Sequence, residues 1–298
     1  AACGLCHAQT EVIALGSRLE LFVDRHLIAD MEGVALALNP LQPAEPSPAP
    51  ALAGHYATVL RTEDKYLQYC RDYKVADPPP RGWEALHAGE VTLFAESTDG
   101  LHWTQPNLGL YALEGFPKGN VLLADAFLVN HNFTPFIDLK PGVPTAARFK
   151  AIGGLTFGDD RAPLREKYGP GGLHAFVSAD GIRWKRLQDM PIIPEAWGVF
   201  DSQNVAFYST AEGQYVCYFR TFEAGFRTVR RTTSPDFVHW TEPVTMGGRL
   251  EGEHLYTSGT HPYFRAPHIY IAPATRYLPD DDPNTRVILM TTRAGDLS

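Results

Sequence analysis

Three carboxylates stand where a proton could be moved or a carbon centre attacked: Asp24, Asp201 and Glu253. Asp201 opens the segment Asp201-Ser202-Gln203-Asn204, directly after the apolar Gly198-Val199-Phe200, where a loop enters a strand. An Asp at such a junction can also simply cap a turn. Glu253 lies in Glu251-Gly252-Glu253-His254-Leu255-Tyr256, with Glu251 as an acidic competitor and a solvated loop as the plain alternative. Asp24 ends the apolar run Leu21-Phe22-Val23-Asp24. An Asp inside a strand must find a partner or water, whether in a channel, with Arg25, or in a turn with Asp30. Asp72 and Asp138 fall at strand ends, where Asp is ordinary.

Basic and polar groups gather around Thr260-His261-Pro262-Tyr263-Phe264-Arg265-Ala266-Pro267-His268. The Arg265 fork can grip a carboxylate or sugar hydroxyls, and the neighbouring rings offer stacking faces. Alternatively, Arg265 bridges neighbouring elements while His261 and His268 are satisfied core groups. His131 with Asn130 and Asn132 forms a second polar rim, and His55 with Tyr56 a third. Arg220 and Arg227, around Glu223, either line the same mouth or pair on the surface. His131, His261, His268 and Asp201 could together hold a channel cation, but no tight metal-ligand spacing supports this. No Gly-rich phosphate loop, nucleophile elbow or basic–aromatic patch occurs.

The elements that must position these groups are set by a phrase that the chain repeats. It reads Ser97-Thr98-Asp99-Gly100-Leu101-His102-Trp103, Ser178-Ala179-Asp180-Gly181-Ile182-Arg183-Trp184 and Ser234-Pro235-Asp236-Phe237-Val238-His239-Trp240. Thr292-Arg293-Ala294-Gly295 is a weaker fourth copy. Long-period repetition means that one supersecondary unit is stacked. Asp can bond backbone N–H groups two residues on, Gly accepts positive φ, and the Trp then buries a ring between neighbouring units.

Each phrase follows a strand-like run: Glu90–Ala95, Leu173–Val177 and Arg227–Thr232. Paired apolar segments precede these runs: Tyr56–Leu60 with Tyr66–Cys70, Asn132–Ile137 with Phe149–Ile152, and Asn204–Tyr208 with Tyr215–Phe219. A fourth unit starts at Pro267–Ala272 and continues to Val287–Met290. Apart from a short turn around Arg161–Tyr168, no amphipathic helix is visible. These patterns predict an all-β propeller of four-stranded blades, with a β-sandwich as the alternative.

The 298 residues include 44% hydrophobic and 11% aromatic side chains, enough for a large core, while 24 Pro and 26 Gly suit many turns. A net charge of −8 argues against nucleic acid or an anionic membrane as partner. No run reaches the ~18 apolar residues of a spanning helix. Pro40–Pro50 reads as an extended connector. Cys70 and Cys217 sit in strand-like runs and are expected to be small buried residues.

Cys3-Gly4-Leu5-Cys6-His7 matches a c-type haem attachment, but no helical cytochrome pattern surrounds it, so haem is not expected. Ala1-Ala2-Cys3-Gly4 resembles the end of a bacterial lipoprotein signal, and Cys6-His7-Ala8 alternatively the tail before a signal-peptidase cut. Both predict an exported protein, with residues 1–14 as a signal remnant and 15–298 as one propeller domain.

The Ser-x-Asp-[Gly/Phe]-x-x-Trp units resemble the five-bladed propellers of the arabinanase, levansucrase and invertase superfamily of glycosidases. Leu19–Asp24, Asn132–Asp138, Phe200–Phe207 and His261–Tyr270 look closer still to exported bacterial proteins described as glycosyl-hydrolase-like. The invertase signatures Asn-Asp-Pro-Asn-Gly, Arg-Asp-Pro and Glu-Cys are missing. The resemblance implies a five-bladed propeller with about four blades visible and the last incomplete. It implies a carbohydrate substrate at one end of the channel, and no cofactor.

It also implies catalysis by Asp24, Asp201 and Glu253, Glu253 being the candidate acid, with His55, His131, Asn132, Asn204, Arg220, His261, Arg265 and His268 binding substrate. Carboxyl groups roughly 5–10 Å apart would support hydrolysis. Aromatics and arginines converging without them would favour a non-catalytic sugar-binding propeller. A third reading is a uronate-processing enzyme with His261 or His268 as base and Arg265 neutralising the acid.

Overall fold

A computed structural model describes residues 13–40, 42, 52, 54–73, 89–124, 131–158, 165–166, 168–279 and 282–298. The Cys3-Cys6-His7 segment, most of Pro40–Pro50 and Asn130 lie outside the described residues.

The described chain forms four antiparallel sheets that follow one another in sequence. The first holds β1 (His55–Arg61), β2 (Tyr66–Tyr73), β3 (Glu90–Ser97) and β4 (Trp103–Thr104), with β5 (Val121–Leu123) also on β3. The second holds β6 (Thr134–Ile137), β7 (Phe149–Leu155) and β8 (Gly172–Ser178), with β9 (Lys185–Arg186) and β10 (Ile193–Pro194) both on β8. The third runs β11 (Val205–Ser209), β12 (Gln214–Glu223), β13 (Phe226–Ser234) and β14 (Val244–Thr245). The fourth contains β15 (His254–Thr257), β16 (His261–Tyr263), β17 (Ala266–Leu278) and β18 (Asp282–Arg293).

Strand β1 lies beside β6, β6 beside β11, and β11 beside β16, so one inner strand from each successive sheet faces a common axis. This is a β-propeller, with four blades among the described residues. Gln203 donates to Thr58 Oγ1 at 3.2 Å, linking the loop before β11 to β1. A channel cavity of about 390 Å³ runs between these strands, lined by Thr58, Thr134, Phe136, Gln203, Phe207 and His261 among others.

The repeated phrase makes the same turn three times. Asp99, Asp180 and Asp236 each accept backbone N–H bonds from two and three residues on, all between 2.7 and 2.9 Å. The Ser hydroxyl accepts the N–H of Gly100, Gly181 or Phe237 at 2.9 Å in every copy. The Trp indole N–H closes the turn onto the carbonyl of that same residue, at 3.1, 2.9 and 3.2 Å.

The pivotal residue has φ of 77°, 77° and 72°, a region that favours Gly. Phe237 holds it without being Gly because its ring is fully buried against Phe136, Tyr215 and Trp240. Trp184 packs edge-on to Tyr69 of the first blade and to Phe133, and Tyr69 donates to the Gly181 carbonyl at 3.0 Å. The turn therefore fastens one blade to the next, burying apolar surface at about 25 cal/mol per Å².

Two expectations need correction. The fourth blade does not begin at Pro267: β15 and β16 both pair with β17, so residues 267–272 lie inside a long central strand. Leu21–Asp24 is not a strand. Residues 13–40 carry no regular structure and are tied down by side chains, Glu20 and Asp24 bridging to Arg293 of β18. Among the described residues no helix is long and apolar enough to cross a membrane.

Candidate functional site

The site assembles around His131, which the second blade presents just before β6. Its ring is completely buried. Nδ1 lies 2.8 Å from Glu90 Oε2 and Nε2 lies 3.3 Å from Asp201 Oδ1. Glu90 opens β3, a strand buried along nearly its whole length, and is itself 5% exposed. A carboxylate there must be paired, and it also accepts the Asn132 N–H at 3.4 Å. Burial alone would keep the His131 ring neutral. The Glu90 charge and the Asp201 hydrogen bond outweigh it and hold the ring's pKa above its ordinary value.

Asn132 binds three blades together. Its Nδ2 donates to the Ser202 carbonyl at 2.7 Å and its Oδ1 accepts from Arg71 of β2. Asn132 has φ of 50° and Tyr56 has φ of 53°. Asn tolerates this conformation, but for an aromatic residue it is an outlier of the kind that gathers at functional sites. The strand bulges there, between His55 and Thr58, and Tyr56 stacks on the Arg71 guanidinium at 4.7 Å. Tyr73 covers the same guanidinium at 5.3 Å.

The third and fourth blades supply the other wall. The loop before β11 carries Asp201, whose side chain is 54% exposed. Asn204 braces that loop by donating to the Phe200 and Ser202 carbonyls, both at 3.0 Å. Arg220 of β12 is 5% exposed; its Nε donates to the Val199 carbonyl at 3.2 Å and its Nη2 stands 3.9 Å from Asp201 Oδ2. Tyr256 of β15 faces Arg220 at 5.3 Å and Arg227 of β13 at 4.7 Å. Burial raises the phenol pKa values of Tyr56 and Tyr73, the latter to about 12, so both stay protonated donors at neutral pH.

One half-exposed carboxylate thus sits inside a ring of arginines and phenols, next to a buried Glu–His pair. Such a site can bind a hydroxylated or acidic ring by stacking and charge-assisted hydrogen bonds. Among the described residues no cluster of three or more His, Cys, Asp and Glu side chains is arranged to hold a metal ion.

Of the residues expected from sequence, Asp201, His131, Asn132 and Arg220 come together, with Asn204 as a brace. His55 is exposed at the start of the bulged β1. His261 is also exposed, lining the channel cavity with Nδ1 3.0 Å from the Gly259 carbonyl.

The others are occupied elsewhere. Asp24 is held by Arg293 at 2.8 and 3.0 Å, which lowers its pKa. Glu253 is 2% exposed; it accepts the Leu250 N–H at 2.9 Å and faces Arg276 at 3.6 Å, so it closes its own loop. His268 binds Glu20 at 2.9 Å. Arg265 stands exposed beside Phe264 in the turn between β16 and β17. The trio Asp24, Asp201 and Glu253 does not form one site, and neither does the group His261, His268 and Arg265.

Sequence reasoning missed Glu90, Arg71, Tyr73 and Tyr256. The one available signal was Glu90, a charged residue opening an otherwise apolar strand.

No protein-family model and no curated protein matches the chain. Among solved structures, a Bombyx mori GH32 β-fructofuranosidase superposes with a TM-score of 0.50 at 10% identity, over 78% of this chain and 44% of the enzyme. The chain shares that enzyme's β-propeller fold. It spans less than half of the enzyme's length. An endo-arabinase from Bacteroides thetaiotaomicron gives a TM-score of 0.49 at 12% identity, over 83% of this chain and 78% of that one. A thermostable family-43 glycoside hydrolase gives 0.49 at 11% identity, over 82% and 69%. At these identities the likeness is one of architecture.

Proposed function

We propose that the protein acts on a carbohydrate at the mouth of the propeller channel, as a glycoside hydrolase whose reacting carboxylate is Asp201. The observation that carries this reading is the position of Asp201. It is half exposed, faces the ring of Tyr56, Tyr256, Arg71 and Arg220, and is held from behind by His131. His131 hydrogen-bonds Asp201 and Arg220 forms an ion pair with it, surroundings that suit a carboxylate attacking an anomeric carbon or activating water rather than donating a proton. Glu90 acts through His131 and is a positioning residue. The phenols of Tyr56 and Tyr73, kept protonated, supply hydrogen bonds to sugar hydroxyls.

A second reading is favoured by one specific observation. Hydrolysis by paired carboxyl groups needs two of them facing the bond, and Asp24 and Glu253 are both engaged elsewhere. A sugar-binding propeller needs only the stacking rings and donors that do converge.

Release of reducing ends from a panel of plant and algal polysaccharides separates the two readings, with Asp201→Asn alongside. Turnover by the wild type, lost by several orders of magnitude in Asp201→Asn while binding persists, supports hydrolysis. Sugar binding with no turnover in either protein assigns the site to recognition alone.

A further inference from the structure

Arginines gather at the same mouth, in a chain whose net charge is −8. Arg71, Arg220 and Arg227 all face it. Among the described residues, Glu90 there is paired with His131, and Asp201 forms an ion pair with Arg220 at 3.9 Å that is too long for a hydrogen bond.

Arg220 is the sharpest case. It is 5% exposed, yet its Nη1 has no hydrogen-bond partner among the described residues. The Nε atoms of Arg227 and Arg71 are likewise buried and unpartnered. A buried guanidinium donor without an acceptor costs on the order of the full desolvation of that group, so such orphans are normally explained by a missing partner.

The geometry narrows what that partner is. Arg220 and Arg227 lie against the same two rings, Tyr256 at 5.3 and 4.7 Å and Phe222 at 5.9 and 5.2 Å. Burial, with the Arg227 charge adding to it, lowers the pKa of Arg220. Two guanidiniums held together beside aromatic faces match an oxyanion attached to a ring that can stack.

Resting on the reading that a carbohydrate binds at this mouth, we propose that the ligand is an acidic sugar. Its charged group, a carboxylate or a sulfate ester, is taken by Arg220 and Arg227, while its ring lies against Tyr256. This moves the anion-binding role from Arg265, which is exposed in a turn, to the β12–β13 pair.

The test compares charged and neutral forms of one ligand on the unmodified protein. Binding of a galacturonic or glucuronic oligosaccharide is measured by calorimetry against its carboxyl-reduced, neutral counterpart. A sulfated neutral oligosaccharide serves as a separate arm. Charge-assisted contacts of this kind predict a preference for the acidic form of about ten- to a hundred-fold, weakening as salt is raised. Arg227→Gln, at a half-buried position, is expected to remove most of that preference.

Preference for the sulfated arm over the carboxylate arm identifies the sulfate as the source of the charge. Equal binding of acidic and neutral forms overturns the acidic-sugar proposal and leaves the carbohydrate reading standing. No binding of any sugar removes both.

Discussion

Replacing Glu90 by Gln tests the electrostatics at the heart of the site. The substitution keeps the shape and an acceptor for the His131 N–H but deletes the charge. Both side chains are almost wholly buried, at 3% and 0% exposure, with 2.8 Å between Oε2 and Nδ1. Removing one partner of a buried ion pair costs about 3–5 kcal/mol, and the retained hydrogen bond places Glu90→Gln near the lower end, about 3 kcal/mol. For a domain of roughly this size each kcal/mol moves Tm by about 2–4 °C, so a fall of about 6–12 °C is expected.

The effect must depend on pH in one direction. His131 has a folded pKa above its unfolded value near 6.5, so its contribution is fully present below that value and is lost as pH rises through the folded pKa. Thermal unfolding followed by circular dichroism at pH 6 and pH 10 should therefore show a large deficit at pH 6. At pH 10 the deficit should shrink towards the ~1 kcal/mol of a neutral hydrogen bond. An equally small deficit, about 1 kcal/mol, at the two pH values would mean that His131 is neutral throughout, and the charge argument for Asp201 would fail with it.

Other consequences follow from the fold. Gly181→Ala places a Cβ 2.7 Å from Tyr69 Oη at a φ of +77°, and a loss of about 1–3 kcal/mol is expected in denaturant titration; an unchanged midpoint would remove the inter-blade role given to this turn. Arg293→Ala releases Glu20 and Asp24 together, so limited proteolysis should cut within residues 13–40 faster than in the wild type, and equal rates would show that other contacts hold the segment. Cys70, its thiol pKa raised by burial to about 11, and the fully buried Cys217 should react with a thiol reagent only after unfolding. Rapid native-state labelling of either would contradict its place inside a blade.

The blade turns were readable from sequence because their chemistry is local. Ser, Asp and Trp at fixed offsets make the same bonds at Asp99, Asp180 and Asp236 wherever the surrounding blade lies. Asp201, His131 and Arg220 were readable because each stands next to an apolar segment that had to be a strand. Glu90 and Arg71 were not, since their roles depend on pairing between β2 and β3 and on the approach of the second blade, which no local spacing encodes. Asp24 and Glu253 failed for the same reason in reverse. Their neighbours in sequence suggested a channel, but Arg293 and Arg276, distant in the chain, reach them first. Tyr256 became part of the mouth only because β15, rather than residues 267–272, forms an inner strand of the fourth blade.

The most direct test is a crystal structure of Asp201→Asn with a bound oligosaccharide. The sugar is expected at the channel mouth, stacked on Tyr256 or Tyr56 and within hydrogen-bond reach of residue 201 and Arg220. A sugar seated instead at the Phe264–Arg265 turn, with the mouth empty, would contradict the site assigned here.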